Sequence, residues 1–181
     1  MLQAAARLFR RHGYGGVNVD RIMAEAGLTR GTFYTYFRSK QALFREAIGF
    51  EPDFRRRLAE RAGADLNAEA AAVAADYLDP SHRHLTWPGC VLASLSQDAA
   101  RGDAGDRAAV AEVLGDLVAE FQRGLDEIPD GAPDPRALQA AAMAVGALVL
   151  AGATDGEPIA DDVARAAAAA IPALLAGKAA G

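Results

Sequence analysis

Glycines and short polar side chains divide the first 50 residues into four short stretches. Each stretch spaces its apolar residues at the 3.6-residue period of a helix. Gly13 and Gly27 end the first two stretches, because glycine accepts the backbone conformation that closes a helix. The residues that precede the other three are good helix N-caps, namely Asn18, Thr29 and Ser39. The segment is therefore expected to form four short helices, over residues 2–12, 19–26, 30–37 and 40–49.

Longer helices are expected in the remainder of the chain. Segments rich in proline or glycine interrupt them at 79–89, 102–105 and 129–135. Alanine, the best helix former, is abundant, and aromatic residues make up only 7 %, which argues against a β-sandwich or barrel. The sequence thus predicts an all-α fold of about nine helices. The later helices are expected over 52–78, 90–101, 107–128, 136–153 and 159–176, with Pro172 kinking or shortening the last.

Charge is distributed unevenly along the 181 residues. The whole chain has a net charge of −5, but the first 50 residues hold eight Lys or Arg against three Asp or Glu, a net charge of +5. The remaining residues carry −10, so the two parts are expected to have different functions. A basic N-terminal segment attracts a polyanion, whereas the acidic remainder is repelled by one.

Three further features limit the class of protein. Cys90 is the single cysteine, which excludes an intramolecular disulfide framework and a cysteine-rich metal site. The longest apolar run, residues 140–153, is 14 residues long, whereas a membrane-spanning helix needs roughly 20. The N-terminus lacks the features of a secretory signal. We therefore expect a soluble, cytoplasmic protein without a membrane partner.

Residues 18–44 combine a helix, a glycine turn and a second short helix, which is the spacing of a helix-turn-helix. Gly27 supplies the positive φ angle that such a turn needs. The second helix, over about 29–37, is the expected recognition helix, since short hydroxyls and an arginine can reach base edges or phosphates. The residues expected to pack the two helices together are Ile22, Ala26, Leu28, Phe33 and Tyr36.

At these residues the chain resembles the TetR family of bacterial transcriptional regulators. The run AGLTRGTFYTYFRSKQAL, residues 26–43, matches that family's DNA-binding signature, and the resemblance covers about the first 48 residues. It implies phosphate contacts by Tyr34, Tyr36 and Lys40, and a helix-capping hydroxyl at Thr29. The full set of predicted DNA-binding residues is Asn18, Thr29, Arg30, Thr32, Tyr34, Thr35, Tyr36 and Lys40.

The resemblance also implies a domain organisation and a function. Residues 1–48 are expected to form the DNA-binding domain, and residues 49–181 an all-helical domain for effector binding and dimerisation. Residues 77–101, in which Gly89-Cys90 precedes an apolar helix, resemble one branch of TetR effector domains. The expected protein is a homodimeric repressor that binds double-stranded operator DNA and responds to a small-molecule effector.

The predicted effector pocket draws its residues from separate segments of the second domain. Most are large apolar or aromatic side chains with a few neutral polar groups, which favours a neutral, hydrophobic effector. Trp87, in a proline-flanked connector, is expected to close the mouth of the cavity. The competing interpretation is that the same side chains fill a solid core. The candidates are Phe54, Leu58, Tyr77, His84, Trp87, Cys90, Ser94, Leu117 and Phe121.

The helices expected over 136–153 and 159–176 are too apolar for the surface of a monomer. They are predicted to form a four-helix interface across a two-fold axis. The alternative is that one of them is buried within the subunit and the other packs over it. The candidate interface residues are Val145, Leu148, Val149, Ile171, Leu174 and Leu175.

Some residues of the chain are compatible with other functions. His82, His84 and Cys90 are a loose set of metal ligands, and Cys90 alone can sense oxidants, although a buried structural cysteine fits the start of an apolar helix better. Phosphate-binding loops, a Ser-His-Asp order and paired catalytic carboxylates do not stand out. We expect no enzyme activity, metal or cofactor. A helical enzyme and a partner-binding module are the alternatives, but both leave the helix-turn-helix without a purpose.

Overall fold

The computed structural model describes residues 1–50, 72–75, 77–79, 89–123, 125 and 132–177. The regular elements in these ranges are helices, which confirms the all-α prediction. Residues 72–75 and 77 are helical as well. The eight helices with defined bounds are α1 (Leu2–His12), α2 (Val19–Glu25), α3 (Arg30–Tyr36), α4 (Lys40–Ile48), α5 (Val91–Arg101), α6 (Ala104–Gln122), α7 (Pro135–Ala153) and α8 (Pro158–Leu175).

The first of two compact units contains Met1–Pro52 and Leu85–Val113. In this unit α1 packs against α2, α4 and α5, and α2 packs against α3. The rings of Phe9 and Phe44 meet edge to face in its core, with centroids 5.2 Å apart, and both side chains are fully buried. The unit includes α5 and so reaches beyond the N-terminal 48 residues. The N-terminal helices therefore share a core that holds α2 and α3 in place.

Two of the predicted N-caps are confirmed. The Asn18 side chain accepts a hydrogen bond from the backbone N–H of Arg21 at 2.8 Å, and α2 begins after it. The Ser39 hydroxyl accepts one from the N–H of Ala42 at 3.1 Å, at the start of α4. These bonds satisfy N–H groups that the first turn of a helix leaves without a partner. Local sequence therefore determines where these helices begin.

Helix α6 begins at Ala104, before its predicted start at residue 107. The Asp103 carboxylate accepts hydrogen bonds from the backbone N–H groups of Gly105 and Asp106, at 2.8 and 3.2 Å. An acidic side chain in this position caps a helix. The predicted start is wrong because Gly102 and Gly105 indicate a turn at this point. Asp103, which lies between them, instead caps the helix and lets it begin earlier.

The second compact unit contains Asp53–His84 and Leu114–Gly181, and in it α7 packs against α8. Each of these helices begins with a proline, Pro135 in α7 and Pro158 in α8. Proline suits the first helical position, because its missing N–H would have no partner there. Both buried faces are rich in alanine, which lets the two backbones approach closely. Helix α8 runs through Pro172 and ends close to the predicted position.

Among the described helices, α7 is long and apolar enough to cross a membrane by length and composition alone. It has 19 residues, and its mean hydropathy is 1.5. Helix α7 is longer than the 14-residue apolar run at 140–153, because it also contains residues 135–139. The core helix of a helical domain meets the same criterion, and 39 % of the apolar window is buried while α7 packs against α8. This property is therefore weak evidence of membrane insertion.

Candidate nucleic-acid interface

Helices α2 and α3 and the turn between them form a helix-turn-helix. Gly27 has a φ angle of +66°, the left-handed conformation predicted for this turn. The backbone N–H of Leu28 donates to the carbonyl of Met23 at 2.9 Å and closes the turn. Ile22 and Phe33 are fully buried and pack the two helices together. The orientation of α3 is thus fixed by a short turn and a small apolar contact.

Two residues expected in that contact lie on the surface instead. Leu28 is 40 % exposed, and Tyr36 is 70 % exposed. The prediction that they pack between α2 and α3 is wrong, because α3 has only seven residues and Phe33 fills its inner side. Ala26, the fifth residue of the predicted contact, is half-buried.

The outward side of α3 carries polar side chains. Arg30, Thr35 and the two tyrosines, Tyr34 and Tyr36, are exposed, and Thr32 is half-buried. Phenolic hydroxyls, aliphatic hydroxyls and a guanidinium can donate to phosphates or read base edges. The predicted contact residues of α3 are therefore accessible, all of them around the side of the helix that Phe33 does not bury.

The hydroxyl of Thr29 has a different partner from the one predicted. Thr29 is the N-cap residue of α3, but its side chain makes no capping bond to a backbone N–H. Its Oγ1 lies 3.0 Å from Oγ1 of Thr32, so the two hydroxyls form a hydrogen bond with each other. The predicted capping role of the Thr29 hydroxyl is therefore corrected.

The Arg30 guanidinium is held by a carboxylate of α2. Its Nη1 lies 3.1 Å from Oδ1 and 2.9 Å from Oδ2 of Asp20. The Tyr34 hydroxyl and then the Asp20 carboxylate raise the pKa of Arg30 above its ordinary value. Sequence reasoning did not find this pair, since the two residues lie on different helices.

The Lys40 ammonium is bonded to the loop between α1 and α2. Its Nζ donates to the carbonyl oxygens of Tyr14 and Val17, each at 2.9 Å, and lies 3.9 Å from the centre of the Tyr14 ring. Burial lowers the pKa of Lys40, and the Asp98 carboxylate opposes this effect. The predicted phosphate contact therefore also has a structural role.

Acidic residues of α5 and α6 bind the loop before α2 and helix α4 within the same compact unit. Asp98 accepts a hydrogen bond from the backbone N–H of Tyr14 at 3.0 Å. It lies so close to Gly13, whose φ angle is +69°, that a side chain there would meet its carboxylate at 3.0 Å. The buried Asp106 carboxylate accepts bonds from Gln41 at 2.9 Å and from Arg45 at 2.8 Å, both on α4. Sequence reasoning missed these residues, because no local pattern marks them.

Comparison with known proteins decides the family. Residues 1–47 match the model of the bacterial regulatory proteins of the tetR family. An uncharacterised HTH-type transcriptional regulator of Mycobacterium tuberculosis, MT0206, is 30 % identical over an alignment of length 167, and the match covers 83 % of this chain and 81 % of the relative. This chain belongs to the TetR family. It is therefore a DNA-binding transcriptional regulator with an N-terminal helix-turn-helix, in a family that does not consist of enzymes.

Two further proteins are similar to this TetR-family chain, one in a short stretch of sequence and the other in fold. The uncharacterised regulator YdgC of Bacillus subtilis is 44 % identical over 48 residues, which are 26 % of this chain but only 25 % of YdgC. The crystal structure of reduced NemR from Escherichia coli superposes with a TM-score of 0.78 at 20 % identity, and the match covers 94 % of this chain and 92 % of NemR. The sequence similarity to YdgC thus covers about a quarter of each chain, and the similarity to NemR is one of fold.

The predicted effector residues of this TetR-family chain are only partly described. Phe54, Leu58, His84 and Trp87 lie outside the described residues. Tyr77, Leu117 and Phe121 are buried and belong to the second compact unit, whereas Cys90 and Ser94 belong to the first.

Cys90 has the surroundings of a structural cysteine. It is 3 % exposed and is the N-cap residue of α5, where its carbonyl accepts a hydrogen bond from the Ser94 hydroxyl at 2.9 Å. Within the described ranges, no group of three or more His, Cys, Asp or Glu side chains is placed to hold a metal ion. His82 and His84, the other members of the loose metal set, lie outside the described residues.

The predicted interface residues occupy two kinds of position. Leu148, Ile171 and Leu175 are buried within the single chain, so they are not presented to a second subunit. Val145 and Leu174 are half-buried, and Val149 is 39 % exposed.

An open groove of about 500 Å³ lies between α7 and α8 on their outward side. Leu150, at its edge, is 56 % exposed and is the largest exposed apolar side chain there. Small side chains form most of the remaining wall. The groove is lined by Ala142, Met143, Gly146, Ala147, Leu150, Val163, Ala166, Ala167 and Ala170.

Proposed function

We propose that this chain is a cytoplasmic repressor that binds its operator as a homodimer and dissociates when a small hydrophobic effector binds. The outward side of α3 carries this proposal, because an arginine, two hydroxyls and two exposed tyrosines share one short helix there. Such side chains reach both base edges and phosphates. The net charge of +5 over the first 50 residues supports it too, since it attracts the DNA backbone.

The proposed DNA contacts divide by chemistry. Tyrosine hydroxyls and a lysine ammonium suit phosphates, whereas an arginine fork and short hydroxyls suit base edges. Residues 1–48 are proposed to supply all of them. The residues proposed to contact phosphates are Tyr34, Tyr36 and Lys40. Those proposed to read base edges are Arg30, Thr32 and Thr35. Asn18 and Thr29, at the starts of α2 and α3, complete the set.

Residues 49–181 are proposed to bind the effector and to form the dimer. Tyr77, Leu117 and Phe121 are buried, largely apolar side chains of one compact unit, and a hydrophobic effector is proposed to contact them. The similarity of residues 77–101 to one branch of TetR effector domains stays a prediction.

The dimer is proposed to form through the groove on α7 and α8. Its small side chains allow the helices of a second copy to approach closely, as in a four-helix interface across a two-fold axis. The exposed Leu150 supplies an apolar side chain that a partner can cover. The interface is thus proposed on outward residues rather than on the buried Leu148.

Selection of binding sites from random duplex DNA with the full chain tests the operator proposal. A homodimer presents two α3 helices, so the enriched sequence is expected to be an inverted repeat. Its half-sites should lie about 34 Å apart, one turn of DNA, or a multiple of that distance. A selection that enriches no sequence, or only a single half-site, contradicts the proposal.

Titration with small hydrophobic molecules tests the effector proposal. Trp87 is the single tryptophan, so its fluorescence reports binding near the predicted mouth of the pocket. We expect one class of neutral, apolar compound to change the fluorescence and to release the selected duplex over the same concentration range. A fluorescence change without release of DNA separates binding from regulation and contradicts the repressor mechanism.

A further inference from the structure

An ion pair between α2 and α3 lies on the surface of the helix-turn-helix. Asp20 is in the first turn of α2, and Arg30 is the first residue of α3. Both carboxylate oxygens approach the same guanidinium nitrogen, Nη1, at 3.1 and 2.9 Å. The pair therefore does not use the Nε–Nη2 edge, where two N–H groups point the same way.

The position of the pair indicates that it does little for stability. The side chains of Arg30 and Asp20 are 63 % and 58 % exposed, and exposed ion pairs contribute little to folding. Arg30 also lies at the positive end of the α3 dipole, which disfavours a cation. The carboxylate of Asp20 offsets this effect and restricts a side chain that otherwise has many rotamers.

The charge of Asp20 is unfavourable for a group on a DNA-binding surface. Asp20 is one of three acidic residues among the first 50, and a carboxylate is repelled by phosphates. It therefore lowers the affinity for DNA of any sequence. An acidic residue here can still increase discrimination between sequences if it orients the residue that reads the bases.

We propose that Asp20 is a positioning residue for operator recognition, because it holds Arg30 by Nη1 and does not itself occupy the Nε–Nη2 edge, with which an arginine donates to a guanine. Guanine offers two acceptors, O6 and N7, in the major groove, and an arginine that donates to both is selective for that base. A guanidinium that is already oriented loses less entropy on binding. This inference rests on the proposed base-reading role of Arg30.

Binding measurements with three variants of the full chain test the inference. The substitutions are D20N, R30A and the double change, and E25Q is the matched control. Glu25 is also on α2 and exposed, but its partner is Arg7 of α1, so E25Q removes the same charge without touching α3. Fluorescence anisotropy gives the Kd for the selected duplex and for a scrambled one, and their ratio measures specificity.

We expect R30A to lower the specificity ratio about tenfold or more, which is the range for losing one such base contact. D20N should lower the ratio several-fold while it strengthens binding to the scrambled duplex about as much as E25Q does. The double variant should be no less specific than R30A alone, because both changes remove one interaction. Thermal unfolding of D20N should show only the small loss that follows when a carboxylate is removed from the first turn of a helix.

Three results overturn the inference, and they are distinguishable. If R30A lowers the ratio but D20N behaves as E25Q does, Asp20 has no positioning role, while the proposed function of Arg30 stands. If R30A leaves the ratio unchanged, the base-reading role of Arg30 fails and the inference fails with it. Additive losses in the double variant also contradict it, since Asp20 would then act without Arg30.

Discussion

The Lys40 ammonium makes structural hydrogen bonds and is also proposed to bind DNA. Two of its three N–H donors go to the carbonyl oxygens of Tyr14 and Val17, which belong to the loop between α1 and α2. A DNA phosphate is proposed to take the third. Lys40 thus connects the shape of the loop to the electrostatic attraction of DNA, and removing its side chain should affect both.

The substitution K40A is expected to weaken binding to all DNA sequences and to reduce the salt dependence of binding by about one unit per subunit. It should also lower the midpoint of thermal unfolding, because two carbonyl groups lose their donor. R38A is the matched control, since Arg38 is an exposed cation of the same segment. Equal unfolding midpoints for K40A and R38A would show that Lys40 has no structural role.

At the scale of the element, local signals predict helix starts well and tertiary partners poorly. Asn18 and Ser39 cap their helices as predicted, because each cap depends on residues three positions away. The contact of Asp98 with Tyr14 joins residues 84 positions apart, and that of Asp106 with Arg45 joins residues 61 apart. The periodic spacing of apolar residues in the sequence does not predict contacts between residues this far apart. The candidate recognition surface could therefore be predicted, but not the residues that hold it.

Helix α7 offers a test of one helix terminus. The Asp134 carboxylate accepts bonds from the backbone N–H of Arg136 at 2.7 Å and from its Nη2 at 2.9 Å. The Arg136 side chain, and then its backbone N–H, lower the pKa of Asp134. Arg136 also donates to the carbonyl of Leu175 at 3.2 Å, so it joins the start of α7 to the end of α8.

The substitution D134N should lower the urea concentration at the midpoint of unfolding at neutral pH. The asparagine amide is uncharged and cannot form an ion pair with the Arg136 guanidinium. A carboxyl group with a lowered pKa stabilises the fold fully above its ordinary value of 3.8. This contribution is lost as the pH falls through the lower pKa of the folded state. Urea unfolding followed by circular dichroism should show a constant difference between the two proteins above about pH 5, which shrinks below 3.8. A difference that persists unchanged in acid would argue against the ion pair.

At the scale of the whole molecule, the apolar groove of α7 and α8 is the surface on which the dimer is proposed to form. Their inward residues are already buried in the subunit, whereas Leu150 and the small residues beside it face outward. The proposed operator binding also needs two copies, because one α3 reads only a half-site. Dimer formation and operator binding should therefore be lost together.

The substitution L150E is expected to give monomers at micromolar concentration and to weaken binding to the two-half-site duplex about a hundredfold. A charge in a desolvated interface is costly unless it is paired. L138E is the control, because Leu138 is an exposed leucine of α7 that does not line the groove. Sedimentation equilibrium gives the mass of each variant. Monomers of the unmodified chain, or dimers of L150E, would contradict the proposed interface.

The contacts of Asp98 and Asp106 also define what can be moved between regulators. A chimera that joins residues 1–48 of this chain to another regulator would leave the backbone N–H of Tyr14, Gln41 and Arg45 without these acceptors. The compact unit they belong to is built from Met1–Pro52 together with Leu85–Val113. The transferable module is therefore discontinuous in the gene, and a productive recombination has to carry both segments.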